Sequence, residues 1–76
     1  MNDKDIQECA RDLTGTSVDD LQSSLYFYDG ASPADMQIIE HALKICTRRG
    51  EKTKERLLKS KLNKLKKRHA SQKDGV

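Results

Sequence analysis

Lysine and arginine side chains are concentrated between residues 48 and 68 of this 76-residue chain. That segment holds eleven of the fifteen basic residues and only two acidic ones, Glu51 and Glu55, so its formal charge is +9. Ammonium and guanidinium groups neutralise phosphates and release the counterions condensed on a nucleic acid, which gives binding that is independent of sequence and sensitive to salt. The segment therefore predicts a contact with the phosphates of DNA or RNA.

The side-chain types favour gripping of phosphates over recognition of bases. The predicted contacts are the basic residues between 52 and 68, namely Lys52, Lys54, Arg56, Lys59, Lys61, Lys64, Lys66, Lys67 and Arg68. Bidentate reading of guanine favours arginine, whereas seven of these nine residues are lysines. Adenine is read by asparagine or glutamine, and this stretch offers only Asn63. The sequence does not distinguish DNA from RNA.

Residues 1–47 carry the opposite charge, since nine acidic residues face three basic ones and give a net charge of −6. The preference of helix N-termini for carboxylates explains most of them, but not Glu8 and Asp12, which lie four residues apart inside a predicted helix. The asymmetry leaves an alternative, a protein–protein interaction module that is homodimeric or has another protein as partner. In it, the basic helix or the acidic face with Glu8 and Asp12 docks on the partner. Pairing between the two halves of the chain and a solvated helix without a partner are further alternatives.

Leu58, Leu62 and Leu65 are spaced by four and three residues, so they share one face of a helix. Two heptads are short for an independent coiled coil. The stripe therefore predicts docking on the rest of the chain, or a protein interface such as that of a symmetric dimer. A membrane-surface helix is disfavoured, because the stripe contains no Trp or Phe and the segment is very polar.

The residues that usually carry catalysis are few and scattered. The two histidines, His41 and His69, and the two cysteines, Cys9 and Cys46, show no spacing typical of a zinc site, and no glycine-rich phosphate loop is present. We expect free thiols that behave as small apolar residues, although the arginines near Cys46 could lower the pKa of its thiol. The sequence thus predicts no catalytic residue, no metal site, no cofactor and no small-molecule substrate, and hence not an enzyme.

The three aromatic residues are consecutive, Tyr26, Phe27 and Tyr28. Such rings can stack on bases, as they do in proteins that bind single-stranded nucleic acid. In a small domain, one or two rings more often complete the core while a tyrosine stays at the surface. We adopt this second interpretation.

Apolar residues that recur every three or four positions predict four helices. Capping residues and glycines delimit them: Asn2 and Gly15 bound a first helix over 3–14, Thr16 or Ser17 begins a second over 17–28, and Ser32 caps a third that runs from Pro33 to Arg49. The fourth helix covers 51–69. Gly50 is a plausible stop, but glycine inside a helix costs only about 1 kcal/mol, so the third and fourth helices could also be continuous or kinked.

These elements predict an all-α protein. A small acidic core of three helices occupies 1–49, a basic helix at 50–69 extends from the core or folds over it, and 70–76 form a flexible tail. The acidic start of the chain does not resemble a signal peptide, and no stretch approaches the roughly 20 apolar residues of a membrane span, so we expect a cytoplasmic or nucleoid-associated protein. The predicted function is a small non-enzymatic regulatory or accessory protein that binds DNA or RNA through its lysine-rich helix.

Overall fold

A computed structural model describes residues 2–28, 30 and 33–74, with side chains as far as Arg68. It contains four helices, α1 (Asp3–Thr14), α2 (Val18–Leu25), α3 (Pro33–Arg49) and α4 (Lys52–Asp74). The described residues include no strand. The prediction of an all-α protein is therefore confirmed.

Helix α1 begins and ends at the predicted residues. Its N-cap is Asn2, whose side-chain Oδ1 accepts a hydrogen bond of 2.9 Å from the backbone N–H of Asp5. Gly15 ends the helix and donates its N–H to the Arg11 carbonyl at 2.9 Å. Its φ of −82° lies outside the left-handed region that glycine often adopts after the last turn of a helix. Gly15 therefore ends α1 without using the conformational freedom specific to glycine.

Helix α2 is shorter than predicted. Ser17 is its N-cap, with its Oγ accepting from the Asp20 N–H at 3.2 Å, but the helix ends at Leu25 rather than at residue 28. The three aromatic residues that follow form a turn in which each N–H donates to the carbonyl three residues earlier, at 3.3, 3.0 and 3.1 Å. Tyrosine and phenylalanine favour helix only weakly, and Gly30 has a φ of 82° that no right-handed helix contains.

Helix α3 has the predicted bounds, although its predicted N-cap, Ser32, lies outside the described residues. It ends at Gly50, which has a φ of 75°. The Gly50 N–H donates to the Thr47 carbonyl at 3.3 Å, and the Glu51 N–H donates to the Cys46 carbonyl at 3.0 Å, which is the Schellman pattern of helix termination. Gly50 is thus a stop, and the turn that it makes lets α4 pack back against α3.

The core is built from all four helices. Its buried apolar residues are Ile6, Ala10, Leu13, Leu21, Leu25, Ile38, Ile39, Ala42, Cys46, Leu58, Leu62 and Leu65. The last three belong to α4 and are at most 6% exposed, so α4 is part of the core rather than an appendage to three helices. The leucine stripe accordingly docks on this chain and offers no exposed interface to a partner. The physical reason is that so short a chain needs every apolar face to cover its core.

Helix α4 continues to Asp74, five residues beyond its predicted end at 69. Ala70, Gln72 and Lys73 are good helix formers, and no glycine or proline follows Gly50 before Gly75. Residues 75 and 76 lie outside the described part of the chain. With 23 residues α4 is the longest helix, yet neither it nor any other helix in the described part is apolar enough over a sufficient length to cross a bilayer.

Candidate nucleic-acid interface

The buried leucines fix how α4 is turned about its axis. Successive residues of an α-helix are rotated by about 100°, so the side opposite Leu58, Leu62 and Leu65 must face solvent. Most basic residues of α4 lie on that side or on its flanks. The exposed ones are Lys52, Arg56, Lys59, Lys64, Lys66, Lys67 and Arg68, which we call the outer face of α4.

Three lysines of the outer face form a row. Lys52, Lys59 and Lys66 are seven residues apart, which is nearly two helical turns, so they project in similar directions at intervals of about 10 Å. Arg56 lies one turn from both Lys52 and Lys59, and these three residues line a shallow groove together with Glu55. The row places positive charge along about 20 Å of the surface, a shape that suits an extended polyanion better than a single small anion.

Most of the outer face makes no ion pair with the acidic half of the chain among the described residues. Within the described residues, the ion pairs are Lys54 with Glu51 at 3.1 Å and Arg49 with Glu51 at 3.9 Å, both local to the turn that precedes α4. Six members of the outer face make no ion pair within 4.0 Å with any described residue, namely Lys52, Arg56, Lys59, Lys64, Lys66 and Lys67. Helix α4 therefore folds back through its leucines and leaves these charges to solvent or a partner.

Lys54 has a different role from the other predicted contacts. Its side chain is only 16% exposed, and its Nζ donates a 2.9 Å hydrogen bond to the backbone carbonyl of Thr14. Thr14 is the last residue of α1, where carbonyls lack helical partners and the helix dipole favours a cation. The same Nζ lies 3.1 Å from the buried Oε2 of Glu51. Lys54 thus joins α4 to α1, and we remove it from the set of phosphate contacts.

The structural role of Lys54 can be tested by comparing the stability of variants at Lys54 and at Lys52. Lys54→Met should lower the free energy of unfolding by about 1–2 kcal/mol, because it removes a charged hydrogen bond and leaves the Glu51 carboxylate with only its longer contact to Arg49. Lys52→Met, at an exposed position two residues earlier, should change it by less than about 0.5 kcal/mol. Urea denaturation of both variants measures the difference. Equal stability of the two variants would show that the Lys54–Thr14 bond does not hold α1 to α4.

Lys61 lies at the inner edge of the basic helix. It is half-buried and, with Lys64, lines a groove between α2 and α4 whose other residues include Tyr26, Leu25 and Leu57. The predicted phosphate contacts therefore fall into three groups by position. Lys54 lies inside the fold, Lys61 lies beside α2, and the others lie on the outer face.

One of the three aromatic rings packs on the core and two are exposed, which agrees with the expectation that one or two rings join the core while a tyrosine stays at the surface. Tyr28 is half-buried and packs against the core, and burial raises the pKa of its hydroxyl, with smaller contributions from Cys9, Asp35 and Asp12. Tyr26 is 80% exposed and Phe27 is 86% exposed. The expected core role therefore applies to Tyr28 alone.

A second basic groove lies between α1 and α3, and the sequence did not reveal it. Its lining includes Arg11, His41, Lys44 and Arg48. Three of these residues come from stretches that we had counted as part of the acidic half. Only the packing of α1 on α3 brings them together, although positions 41, 44 and 48 have the spacing of one helical face.

The acidic residues that remained unexplained, Glu8 and Asp12, are both exposed on α1. Asp12 lines a shallow surface groove that also includes Cys9, Ser24 and Tyr28. The carboxylates lie within reach of solvent and of any partner, but neither makes an ion pair within 4.0 Å among the described residues.

The two cysteines differ in how far the fold covers them. Cys9 is half-buried, Cys46 is buried, and both are free. Burial raises the pKa of the Cys46 thiol, and the charge of Glu51 adds to this shift, outweighing the opposing effects of Lys54 and Arg49. Arg49 therefore acts on this pKa in the direction that the sequence allowed, but burial outweighs it, and Cys46 is the free, buried thiol that we expected. In the part of the chain that the structure describes, no three metal-binding side chains are grouped together.

Comparison of the chain with protein-family models, with curated proteins and with solved structures gives no match. The functional argument therefore depends on this chain's own residues.

Proposed function

We propose that this chain is a small, non-enzymatic nucleic-acid-binding protein that grips phosphates with the outer face of α4. The observation that carries the proposal is a set of six exposed lysine and arginine side chains that make no ion pair with any described residue, three of them in a row. Their helix is held in place by three buried leucines, so the charges are presented on a rigid element rather than on a loop. A regulatory or accessory role inside the cell is consistent with such binding.

The electrostatics of the free chain support a polyanionic partner. Like charges along one face repel each other, and this repulsion opposes the compact state. A nucleic acid relieves the repulsion and gains entropy from released counterions. The predominance of lysine favours phosphates over base edges, because lysine acts as a mobile point charge rather than a planar fork.

Fluorescence anisotropy with a short random duplex and a random single strand, titrated across salt, tests the proposal. If five or six phosphates are contacted, the logarithm of the duplex association constant should fall with the logarithm of salt concentration with a slope of roughly −5. The full chain has to be used, because residues 1–50 lack the three core leucines of α4. Absence of binding to either nucleic acid at low salt would refute the proposed function.

A protein partner docked on the acidic face is the rival function, and a reversal of charge on that face separates the two. Replacing the exposed Glu8 and Asp12 by lysine adds four units of positive charge to α1. If the chain binds nucleic acid through α4, this Glu8→Lys/Asp12→Lys variant should bind the duplex as tightly as the wild type or more tightly. A protein partner docked on the acidic face would instead be lost on the same charge reversal.

A further inference from the structure

The groove between the C-terminal end of α2 and α4 combines an exposed aromatic ring with two lysines. Tyr26 lines it from the turn after α2, while Lys61 and Lys64 line it from α4. Leu25 and Leu57 give it an apolar part, and Gln22 and Ser60 contribute polar groups. A ligand that fills this groove therefore needs negative charge and a planar apolar surface close together.

The aromatic ring is presented by an ordered turn. Three consecutive N–H groups, from Tyr26 to Tyr28, each donate to a carbonyl three residues back, and Tyr28 packs against the core beyond them. Tyr26 and Phe27 nevertheless remain 80% and 86% exposed. Large rings held in solvent on a fixed backbone lose little conformational freedom on binding, as in binding surfaces that use rigid aromatic anchors.

We propose that this groove binds single-stranded nucleic acid, with an unpaired base stacked on Tyr26 and flanking phosphates on Lys61 and Lys64. The proposal rests on the proposed function and specifies the form of nucleic acid that this groove selects. Bases inside a duplex are stacked on one another and offer no free face to a tyrosine, whereas every base of a single strand does. An acidic peptide supplies negative charge, but its carboxylate side chains have no aromatic face that could stack on Tyr26. The tyrosine therefore favours nucleic acid as the ligand. Phe27 presents a second exposed ring beside Tyr26.

The test compares Tyr26→Ala with Tyr26→Phe in the full chain, using a labelled oligothymidylate single strand, a duplex of equal length and poly-glutamate. Tyr26→Ala should weaken binding to the single strand by about 5- to 150-fold, the range for losing one stacked base. Tyr26→Phe keeps the ring and should bind like the wild type. Neither change should alter the affinity for the duplex. Lys61→Gln/Lys64→Gln should flatten the salt slope for the single strand by about 1.4 units.

Fluorescence of the two tyrosines gives a second measurement on the same samples. The single strand should quench the emission of the wild type, and the quenching should largely disappear in Tyr26→Ala, which retains only Tyr28. Because Tyr26 is so exposed, the thermal unfolding midpoint of the variant should stay close to that of the wild type. An unfolded Tyr26→Ala variant would contradict that surface role and overturn the inference.

The outcomes separate this inference from the proposed function. If single strand and duplex both bind and Tyr26→Ala changes neither, the stacking groove is wrong while phosphate binding by α4 stands. If poly-glutamate binds as tightly as the single strand with the same dependence on Tyr26, the groove takes an acidic polypeptide and the inference is overturned. If no nucleic acid binds at low salt, both the inference and the proposed function fail.

Discussion

Replacing Leu58 by alanine is expected to lower the free energy of unfolding by about 3 kcal/mol. Leu58 is completely buried in a core to which all four helices contribute, so truncation removes apolar contacts and leaves a cavity. A domain of this size has a total stability of roughly 4–11 kcal/mol, so the loss is a large fraction of the whole. Urea denaturation followed by circular dichroism measures the shift, which should appear in the midpoint with little change in the slope.

Lys59→Ala is the matched control for this prediction. The residue follows Leu58 directly but is exposed, so its truncation should change stability by less than about 0.5 kcal/mol. Equal stability of the two variants would mean that α4 is not packed on α1–α3. The same reasoning explains why removal of α4 is a poor control for binding. A truncated chain loses Leu62 and Leu65 as well, and would report unfolding rather than the loss of basic charge.

The sequence was sufficient to predict the helix ends that are decided by local chemistry. The Asn2 cap and the apolar spacing of α1 predicted both of its ends, and Pro33 and Gly50 did the same for α3. Each of these signals acts within about five residues, through a side-chain cap, a fixed proline φ or a positive glycine φ. The predicted end of α2 was wrong, because the three aromatic residues after Leu25 were equally compatible with a continued helix and with a non-helical segment.

The candidate site depended on contacts that no local pattern contains. The bond from Lys54 to the Thr14 carbonyl joins residues 40 positions apart, so the sequence placed Lys54 with the other lysines. The exposure of Tyr26 and Phe27 likewise depends on which surface α4 covers once it folds back. The leucine spacing predicted a docking face for α4, but whether that face meets this chain or another is a question of tertiary packing.

The largest expected effect on binding comes from the lysine row of α4. Replacing Lys52, Lys59 and Lys66 by glutamine should flatten the salt slope for a duplex by about 2.7 units, since each lost phosphate contact removes about 0.9. Near 0.1 M salt, the same loss corresponds to a roughly 100- to 1,000-fold weaker affinity. All three side chains are exposed, so the fold should not change. Anisotropy across a salt series measures both quantities.

The control changes the same amount of charge elsewhere, at the exposed Lys4, Arg11 and Lys44. Either set of three glutamines lowers the formal net charge of the chain from +3 to 0, so a general electrostatic attraction would weaken equally in both. Direct phosphate contacts on α4 require a much larger change in slope for the lysine-row variant than for this control. An equal change in the salt slope for the control variant would mean that binding depends on overall charge or on the basic groove beside Arg11 and Lys44. The outer face of α4 would then not be the interface.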